Sequence, residues 1–134
     1  MRPGKEIDTR IAREVFGNEV WATNKVVHER AGEIKRPLRN YTKEMEWAWE
    51  VADKMRITLV PVRTGEWFAF AAGEQGWESP QAFAEFLAAG DFKGCGAALG
   101  KSAPLVICEA ALRAVEKRNA ESGAEPVSAE NTLQ

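Results

Sequence analysis

The residues best suited to bind a ligand lie in the basic segment from residue 25 to residue 39, which two aromatic residues flank. Its cationic side chains are Lys25, Arg30, Lys35, Arg36 and Arg39, and the flanking residues are Trp21 and Tyr41. Guanidinium groups bind phosphate through paired hydrogen bonds, and aromatic rings stack on nucleotide bases. We therefore expect Lys25, Arg36 and Arg39 to neutralise a phosphate-bearing ligand, and either flanking ring to stack on its base. The alternative is an ordinary basic surface loop, solvated and balanced by the acidic remainder of the chain.

A glycine-rich stretch, GCGAALGKSAP at residues 94–104, looks superficially like the phosphate-binding loop of nucleotide hydrolases. That loop requires its first glycine at the position that Cys95 occupies, and it should follow a buried strand rather than the helix expected here. The stretch is therefore predicted to be a flexible loop, with Ser102 as the N-cap of the next helix. The alternative that this helix start and Lys101 bind an anion stays open.

Catalytic constellations are scarce in this chain. His28 is the single histidine, so Ser-His-Asp and Cys-His arrangements are excluded unless it is itself the base. Cys95 and Cys108 lack the spacing of zinc ligands and are expected to be free thiols. Glu46 and Glu50 lie one helical turn apart, but they are predicted to face solvent. We therefore expect no enzyme activity, no cofactor and no metal site.

The segment from residue 74 to residue 100 offers a different kind of contact. Its EQGWESPQAF stretch carries Trp77, which we expect to be exposed. Tryptophan is enriched among the residues that dominate protein–protein affinity. This segment therefore raises the alternative that the protein is an inhibitor that binds another protein through residues 74–100.

Four helices are predicted to position these residues. The first lies in KEIDTRIAREVFGN and ends at Gly17-Asn18. The second lies in YTKEMEWAWEVADKM, with Thr42 as its N-cap. Its predicted buried stripe consists of Met45, Ala48, Trp49, Ala52 and Met55. The third begins at Ser79-Pro80, and the last runs through SAPLVICEAALRAVEKRN.

Two pairs of strands complete the pattern. EVWA and KVVHE around Thr23-Asn24 predict a short hairpin, with Gly32 and Pro37 as breakers. ITLVPVRTGEWFAFAAG predicts two further strands joined by a turn at residues 63–65. Pro61 cannot donate to a ladder, which places its strand at an edge or bulge. Both faces of WFAFAA are apolar, so we expect helices to cover this strand on both sides.

Length and charge limit the remaining choices. The 134 residues are the size of one domain, which we expect over residues 1–119, followed by a disordered acidic tail over residues 120–134. Residues 1–43 carry ten Lys and Arg against six Asp and Glu, whereas the rest of the chain carries eight against fourteen. The chain is not basic enough for general nucleic-acid binding. The sequence contains no apolar run of membrane-spanning length and no secretory signal, so we expect a cytoplasmic protein without a membrane partner.

Three stretches resemble the phage ABA-sandwich domain family of small bacteriophage and prophage proteins. They are the opening GKEIDTRIAREVFG, the tyrosine-led NYTKEMEWAWEVADKM and the closing APLVICEAALRAV. The resemblance implies an α+β fold, an α/β/α sandwich in which helices cover a small antiparallel sheet. Residues 21–40 and 74–100 depart from the family's usual loops, so we expect any particular function to reside there.

The resemblance also implies a phage accessory gene in a host bacterial cell. Such genes often serve counter-defence, including the sequestration of immune nucleotides. We therefore expect a non-enzymatic binding protein that acts as a sponge for a cyclic nucleotide or an ADP-ribose derivative. A sponge usually requires a homo-oligomer whose pockets form between protomers. The alternative stays an inhibitor that binds a host or defence protein.

Overall fold

The computed structural model describes residues 3–71, 76–89 and 96–121. Residues 72–73 and residues 122–134 of the predicted tail lie outside the described residues, as do residues 74–75 and 90–95 of the predicted contact segment, which include Gly94 and Cys95. The helices are α1 (Lys5–Arg10, continued by a π-helical stretch Ile11–Val15), α2 (Met45–Met55), α3 (Pro80–Ala89) and α4 (Ala103–Glu121). The strands are β1 (Glu19–Thr23), β2 (Val26–Ala31), β3 (Ile34–Pro37), β4 (Ile57–Pro61), β5 (Trp67–Ala71) and β6 (Ala98–Gly100).

The strands form two antiparallel three-stranded sheets, in the orders β1-β2-β3 and β4-β5-β6. With the four helices they make an α+β fold, so the predicted fold class is confirmed. α4 is predominantly apolar on its inner side and packs against α2, the π-helical stretch of the first helix and the second sheet. Among the described residues, no helix is both long enough and apolar enough to cross a membrane.

The first helix begins and ends where its apolar spacing predicts. Ile7, Ile11 and Val15 are buried on one side, and Gly17 at φ 68° ends the helical run. The amide of Phe16 donates to the carbonyl of Ile11, five residues back, which closes the π-helical turn. These apolar side chains belong to the main core together with residues of α2 and α4.

The predicted hairpin is present as β1 and β2. Asn24 and Lys25 form its turn with φ of 52° and 68°, the left-handed pair that a two-residue turn between twisted strands prefers. β3 then pairs with β2 after a second turn. Residues adjacent along a strand point to opposite faces, so the register decides which basic side chains can meet.

The second helix differs from its prediction first in its N-cap. α2 begins at Met45, with Glu44 at the N-cap position, whereas Thr42 is buried two residues earlier. Its backbone amide and hydroxyl both donate to Oδ1 of Asp8 at 2.9 Å. Thr42 is therefore not the cap of this helix: its hydroxyl oxygen accepts a hydrogen bond from the amide of Gly4 at 3.0 Å instead of from an amide of α2.

The buried stripe of α2 is also rotated from the predicted one. The buried residues are Ala48, Val51, Ala52 and Met55, at the spacing of one helix face. Met45 and Trp49, which were predicted to be buried, are 38% and 59% exposed. The prediction was wrong because small alanines and Val51 fit against α4, and the larger indole is left outside.

Helices cover the second sheet on both faces, as predicted for WFAFAA. On one face, Phe70 of β5 stacks with Phe83 and Phe86 of α3. On the other, Ala69 packs with Val106 and Ala110 of α4. β4 is an edge strand and Pro61 is its last residue, which confirms the edge position predicted for it.

The glycine-rich stretch contains a strand that the sequence did not predict. β6 pairs with β5 through residues 98–100, so this part is not a flexible loop. Gly96, just before it, lies against α4 at φ 65°. A Cβ there would lie 2.7 Å from the carbonyl oxygen of Ala110, which shows that the glycine is required for close backbone packing.

Candidate functional site

The centre of the predicted ligand site is a buried carboxylate. Glu29 is 0% exposed and accepts hydrogen bonds at both oxygens. Asn18 Nδ2 and the Tyr41 hydroxyl donate to Oε1 at 2.9 and 2.8 Å. The backbone amide of Arg39 and Nε of Arg36 donate to Oε2 at 3.0 and 3.3 Å. Burial alone would raise the pKa of Glu29, but these donors outweigh it, and the pKa is lowered from its usual range.

The predicted stacking role of Tyr41 is wrong for this fold. The ring is completely buried and stacks on Phe16 at a centroid distance of 5.5 Å, so no base can reach its face. Burial, with Glu29 beside the hydroxyl, raises the pKa of Tyr41, which stays a protonated donor. The tyrosine is thus a structural part of the core.

Arg36 and Arg39 are also committed to internal partners. Arg36 pairs with the buried Glu29, directly opposite it across β2 and β3. The guanidinium of Arg39 lies 4.0 Å from the ring centroid of Trp47 and 3.0 Å from Oε1 of Glu50. Both arginine side chains are only about a fifth exposed, at 22% and 21%. The expectation that they neutralise a ligand phosphate is corrected, because the buried carboxylate of Glu29 already pairs with Arg36 and the exposed carboxylate of Glu50 with Arg39.

Trp21 and Lys25 do not join this cluster. Trp21 lies opposite His28, and their rings stack at 5.6 Å. This pair alternates with Glu29 and Arg36 along the strands, so it occupies the other face of the first sheet. Arg30 shares that face, 5.9 Å from the Trp21 ring, and Lys25 is exposed in the hairpin turn. The alternation of the strand therefore separates residues that are close in sequence.

Lys101 and Ser102 lie elsewhere, between β6 and α4. The Ser102 Oγ accepts from the amide of Leu105 at 3.4 Å and its carbonyl accepts from Val106 at 2.9 Å, which confirms the predicted N-cap. Both residues are exposed. They belong to the second sheet's connection, whereas Trp21 and Lys25 belong to the first sheet's hairpin.

Trp77 is not the exposed anchor that the sequence predicted. Its Nε1–H donates to Oγ1 of Thr58 at 3.0 Å. Its ring contacts Phe70, Phe83 and Phe86, with centroid distances of 6.2, 5.0 and 4.9 Å. The indole is half-buried and joins α3 to the second sheet, so its first role is packing.

The described residues were compared with the requirements of a metal site and of a reactive thiol. Among residues 3–71, 76–89 and 96–121, no three His, Cys, Asp or Glu side chains are grouped to hold a metal ion. Cys108 is completely buried, and its Sγ donates to the carbonyl of Tyr41 at 3.4 Å. Burial raises the pKa of this thiol, so it stays protonated at neutral pH.

One surface feature consists of residues that the sequence assigned to the core. Trp49 on α2 is 59% exposed, with Met45 one turn before it. An open recess of about 380 Å³ adjoins the indole; its lining residues are Phe16, Glu46, Trp49, Glu50, Asp53 and Lys54. We call this surface the Trp49 face. The spacing of Ala48, Val51, Ala52 and Met55 was the available signal, since it defines a complete buried stripe without Trp49.

Carboxylates outnumber cations around this recess. Glu46, Glu50 and Asp53 line it, against the single ammonium of Lys54. Glu50 is bound by Arg39, and Asp53 pairs with Arg56 at 3.3 Å. The Trp49 face thus combines an exposed aromatic centre with one carboxylate, that of Glu46, for which the described residues supply no ion pair.

No family model and no curated protein matches this chain. Among solved structures, a crystal structure of a phage protein from Bacillus cereus ATCC 14579 is similar in fold. The two chains superpose with a TM-score of 0.58 at 19% sequence identity, over 85% of this chain and 92% of that chain. At this identity the likeness shows the fold alone. Membership of the phage ABA-sandwich domain family stays a prediction.

Proposed function

We propose that this chain is a non-enzymatic, phage-encoded binding protein that acts by contacting another protein through the Trp49 face. The observation that carries the proposal is the 59% exposure of Trp49 beside an acidic recess. An exposed indole costs solvation free energy in the monomer, and tryptophan is among the residues that contribute most to protein–protein affinity. The proposal keeps the inhibitor function considered from the sequence and moves its contact from residues 74–100 to α2.

The proposed phage origin is based on the structural comparison. The solved structure of similar fold is described as a phage protein, which favours a phage or prophage origin for this chain. A phage protein that binds another protein fits a counter-defence role in the cytoplasm of a host bacterium. The partner would then be a host or defence protein rather than a substrate.

Sequestration of a nucleotide signal has less support. Arg36 pairs with Glu29, Arg39 with Glu50, and Tyr41 is buried, so three of the seven proposed ligand residues are occupied internally. Of the remaining four residues, Trp21 and Lys25 belong to the β1–β2 hairpin, and Lys101 and Ser102 lie between β6 and α4. A sponge built on Trp21 and Lys25 would need a second protomer to enclose the ligand, and its oligomeric state is measurable by sedimentation.

Site-specific photo-crosslinking tests the proposal. A photo-crosslinking amino acid replaces Met45, on the Trp49 face, or Ile34, which is 62% exposed on β3 and serves as the matched control. In cells of the bacterial host, we expect one discrete cross-linked protein from position 45 and none from position 34. Trp49→Ala should remove that product. Equal products from both positions, or none from position 45, would contradict the proposal.

Calorimetry tests the alternative that the protein sequesters a nucleotide. Cyclic dinucleotides and ADP-ribose are titrated into the purified protein, and we expect no heat of binding. Saturable heat that Trp21→Ala abolishes and Trp49→Ala leaves unchanged would favour the sponge instead. Loss of the nucleotide over time, rather than its recovery on denaturation, would indicate an enzyme.

A further inference from the structure

We infer that the recess beside Trp49 receives an arginine side chain of the partner protein, so that the partner presents a basic segment to α2. This inference rests on the proposed function, since it names the chemistry of the partner at the same face. Its elements are the two aromatic residues Phe16 and Trp49 and the three carboxylates of Glu46, Glu50 and Asp53 that line one recess.

The placement of these side chains follows from the rotation of α2. Residues 46, 49, 50 and 53 recur at intervals of three and four, so they share one face of the helix. That face lies away from the buried stripe of Ala48, Val51, Ala52 and Met55. Trp49 is therefore surrounded by carboxylates of its own helix, and the recess extends to the ring of Phe16.

An aromatic ring bordered by carboxylates favours an organic cation. The face of an indole attracts a cation through its quadrupole, and it does so better than other aromatic rings. Guanidinium is planar and weakly hydrated, so it can stack on the ring while its N–H groups bind carboxylates at the edge. A lysine ammonium is a compact, strongly hydrated charge and uses only part of this arrangement.

The same helix already holds an arginine in this manner. Arg39 stacks over Trp47 at 4.0 Å and binds Glu50 at 3.0 Å. Trp49 lies two residues along the helix, near Glu46 and Asp53, and no cation stacks on it within the described residues. The Trp49 face thus repeats the chemistry of the Arg39 site with the arginine missing.

Charge complementarity favours a cationic segment over a neutral apolar one at Glu46. Of the three lining carboxylates, Glu50 already pairs with Arg39 and Asp53 with Arg56, so a cationic partner gains its attraction mainly from Glu46. Arg39 and Arg56 adjoin the recess, and Lys54 lines it and would repel an arginine. Its removal by Lys54→Gln should therefore strengthen binding of a cationic probe.

A hexa-arginine peptide is the probe, with hexa-lysine and hexa-glutamate peptides as comparisons. Binding is followed at low salt by calorimetry and by the NMR signal of the Trp49 indole N–H. We expect hexa-arginine to bind more tightly than hexa-lysine, and hexa-glutamate not to bind. Trp49→Ala should weaken hexa-arginine about fivefold, the factor that a cation–π contact of about 1 kcal/mol supplies. It should also remove the preference for arginine over lysine.

Matched variants separate the recess from general electrostatics. Trp49→Phe keeps an aromatic ring and should retain part of the arginine preference. Glu46→Gln should weaken hexa-arginine binding, whereas Glu85→Gln, which removes an exposed carboxylate on α3, should not. All these residues are exposed, so circular dichroism should show unchanged folding. Equal effects of the two glutamate variants, or hexa-arginine binding that Trp49→Ala leaves intact, would overturn the inference.

Three outcomes separate failure of the inference from failure of the proposed function. A cross-linked partner from position 45 with no arginine preference in the peptide assay would retain the function and reject the arginine contact. Concentration-dependent dimerisation that Trp49→Ala abolishes would instead assign the face to a second copy of this chain and reject the inference. The absence of any cross-linked partner would reject the proposed function itself.

Discussion

The hydroxyl of Tyr41 donates a 2.8 Å hydrogen bond to Oε1 of Glu29, and both side chains are completely buried. The bond joins the segment before α2 to the middle strand of the first sheet. Asn18, Arg36 and the amide of Arg39 converge on the same carboxylate. The basic segment, whose sequence predicts an anion-binding surface, thus has its own buried anion, the carboxylate of Glu29.

Glu29→Ala should destabilise the fold strongly. It leaves the Tyr41 hydroxyl, the Asn18 amide and the Arg36 guanidinium without their acceptor. Removing one partner of a buried charged network costs about 3–5 kcal/mol in the free energy of unfolding. Urea unfolding followed by circular dichroism measures this loss. The isosteric Glu29→Gln keeps one acceptor oxygen and should cost less, and a loss below about 1 kcal/mol for the alanine variant would contradict the network.

Ionisation of Glu29 should make the free energy of unfolding decrease as the pH falls. Its pKa is lowered in the folded state, so its contribution is present above its unfolded pKa and is lost as the pH falls through the folded one. Glu29→Gln should therefore show a shallower loss of stability toward acid pH than the natural protein. Urea midpoints across acid to neutral pH measure the slope.

Asp8 provides a control of opposite sign. Burial raises its pKa despite the hydrogen bonds from Thr42, so the folded state binds a proton more tightly than the unfolded state does. Asp8 therefore favours folding as the pH falls, and Asp8→Asn should steepen the acid loss. Identical slopes for the Glu29→Gln and Asp8→Asn variants would show that neither group titrates as the structure indicates.

Replacement by alanine should lower the free energy of unfolding far more at Trp77 than at Trp49. Trp77→Ala removes the ring packed against Phe70, Phe83 and Phe86. It also removes the hydrogen bond that the indole donates to the Thr58 hydroxyl. We therefore expect the free energy of unfolding to fall by about 3 kcal/mol. Trp49→Ala should change stability by less than about 0.5 kcal/mol, because the side chain is largely in solvent. Thermal unfolding of both variants compares the two. A larger loss for Trp49→Ala would mean that the assigned rotation of α2 is wrong.

Gly96→Ala should cost more than its backbone conformation alone explains. An alanine at φ 65° is strained by about 1 kcal/mol, and its Cβ would also lie 2.7 Å from the Ala110 carbonyl oxygen. Gly32→Ala is the matched control, since Gly32 has φ 63° and nothing within 4 Å of the added Cβ. The excess for Gly96 should be about 1–3 kcal/mol, as in overpacked sites. Equal free energies of unfolding for the two variants would argue against the close approach to α4.

Short-range features were predictable because the determining groups are neighbours in sequence. Ser79 and Ser102 cap α3 and α4 through their own next residues, with Oγ accepting from the third amide along. The hairpin and the edge position of Pro61 follow equally from local backbone chemistry, although the turn lies at Asn24-Lys25, one residue after the predicted Thr23-Asn24. The apolar period of α2 allows two buried stripes, one with Met45 and Trp49 and one with Val51, and only the packing of the helix decides that Trp49 stays outside.

The sequence by itself determined the four helices, the hairpin and the α+β class, because periodicity and capping act over a few residues. Tertiary structure decided which groups face outward. Asp8 binds Thr42 from 34 residues away, and Glu29 binds Tyr41 and Arg36 across other elements. The strand alternation that separates Trp21 from Arg36 depends on register, and the rotation that exposes Trp49 depends on what α4 accommodates. Arg36 and Arg39 of the basic segment are therefore bound by carboxylates of the same chain, and Trp49 of α2 became the centre of the candidate contact surface.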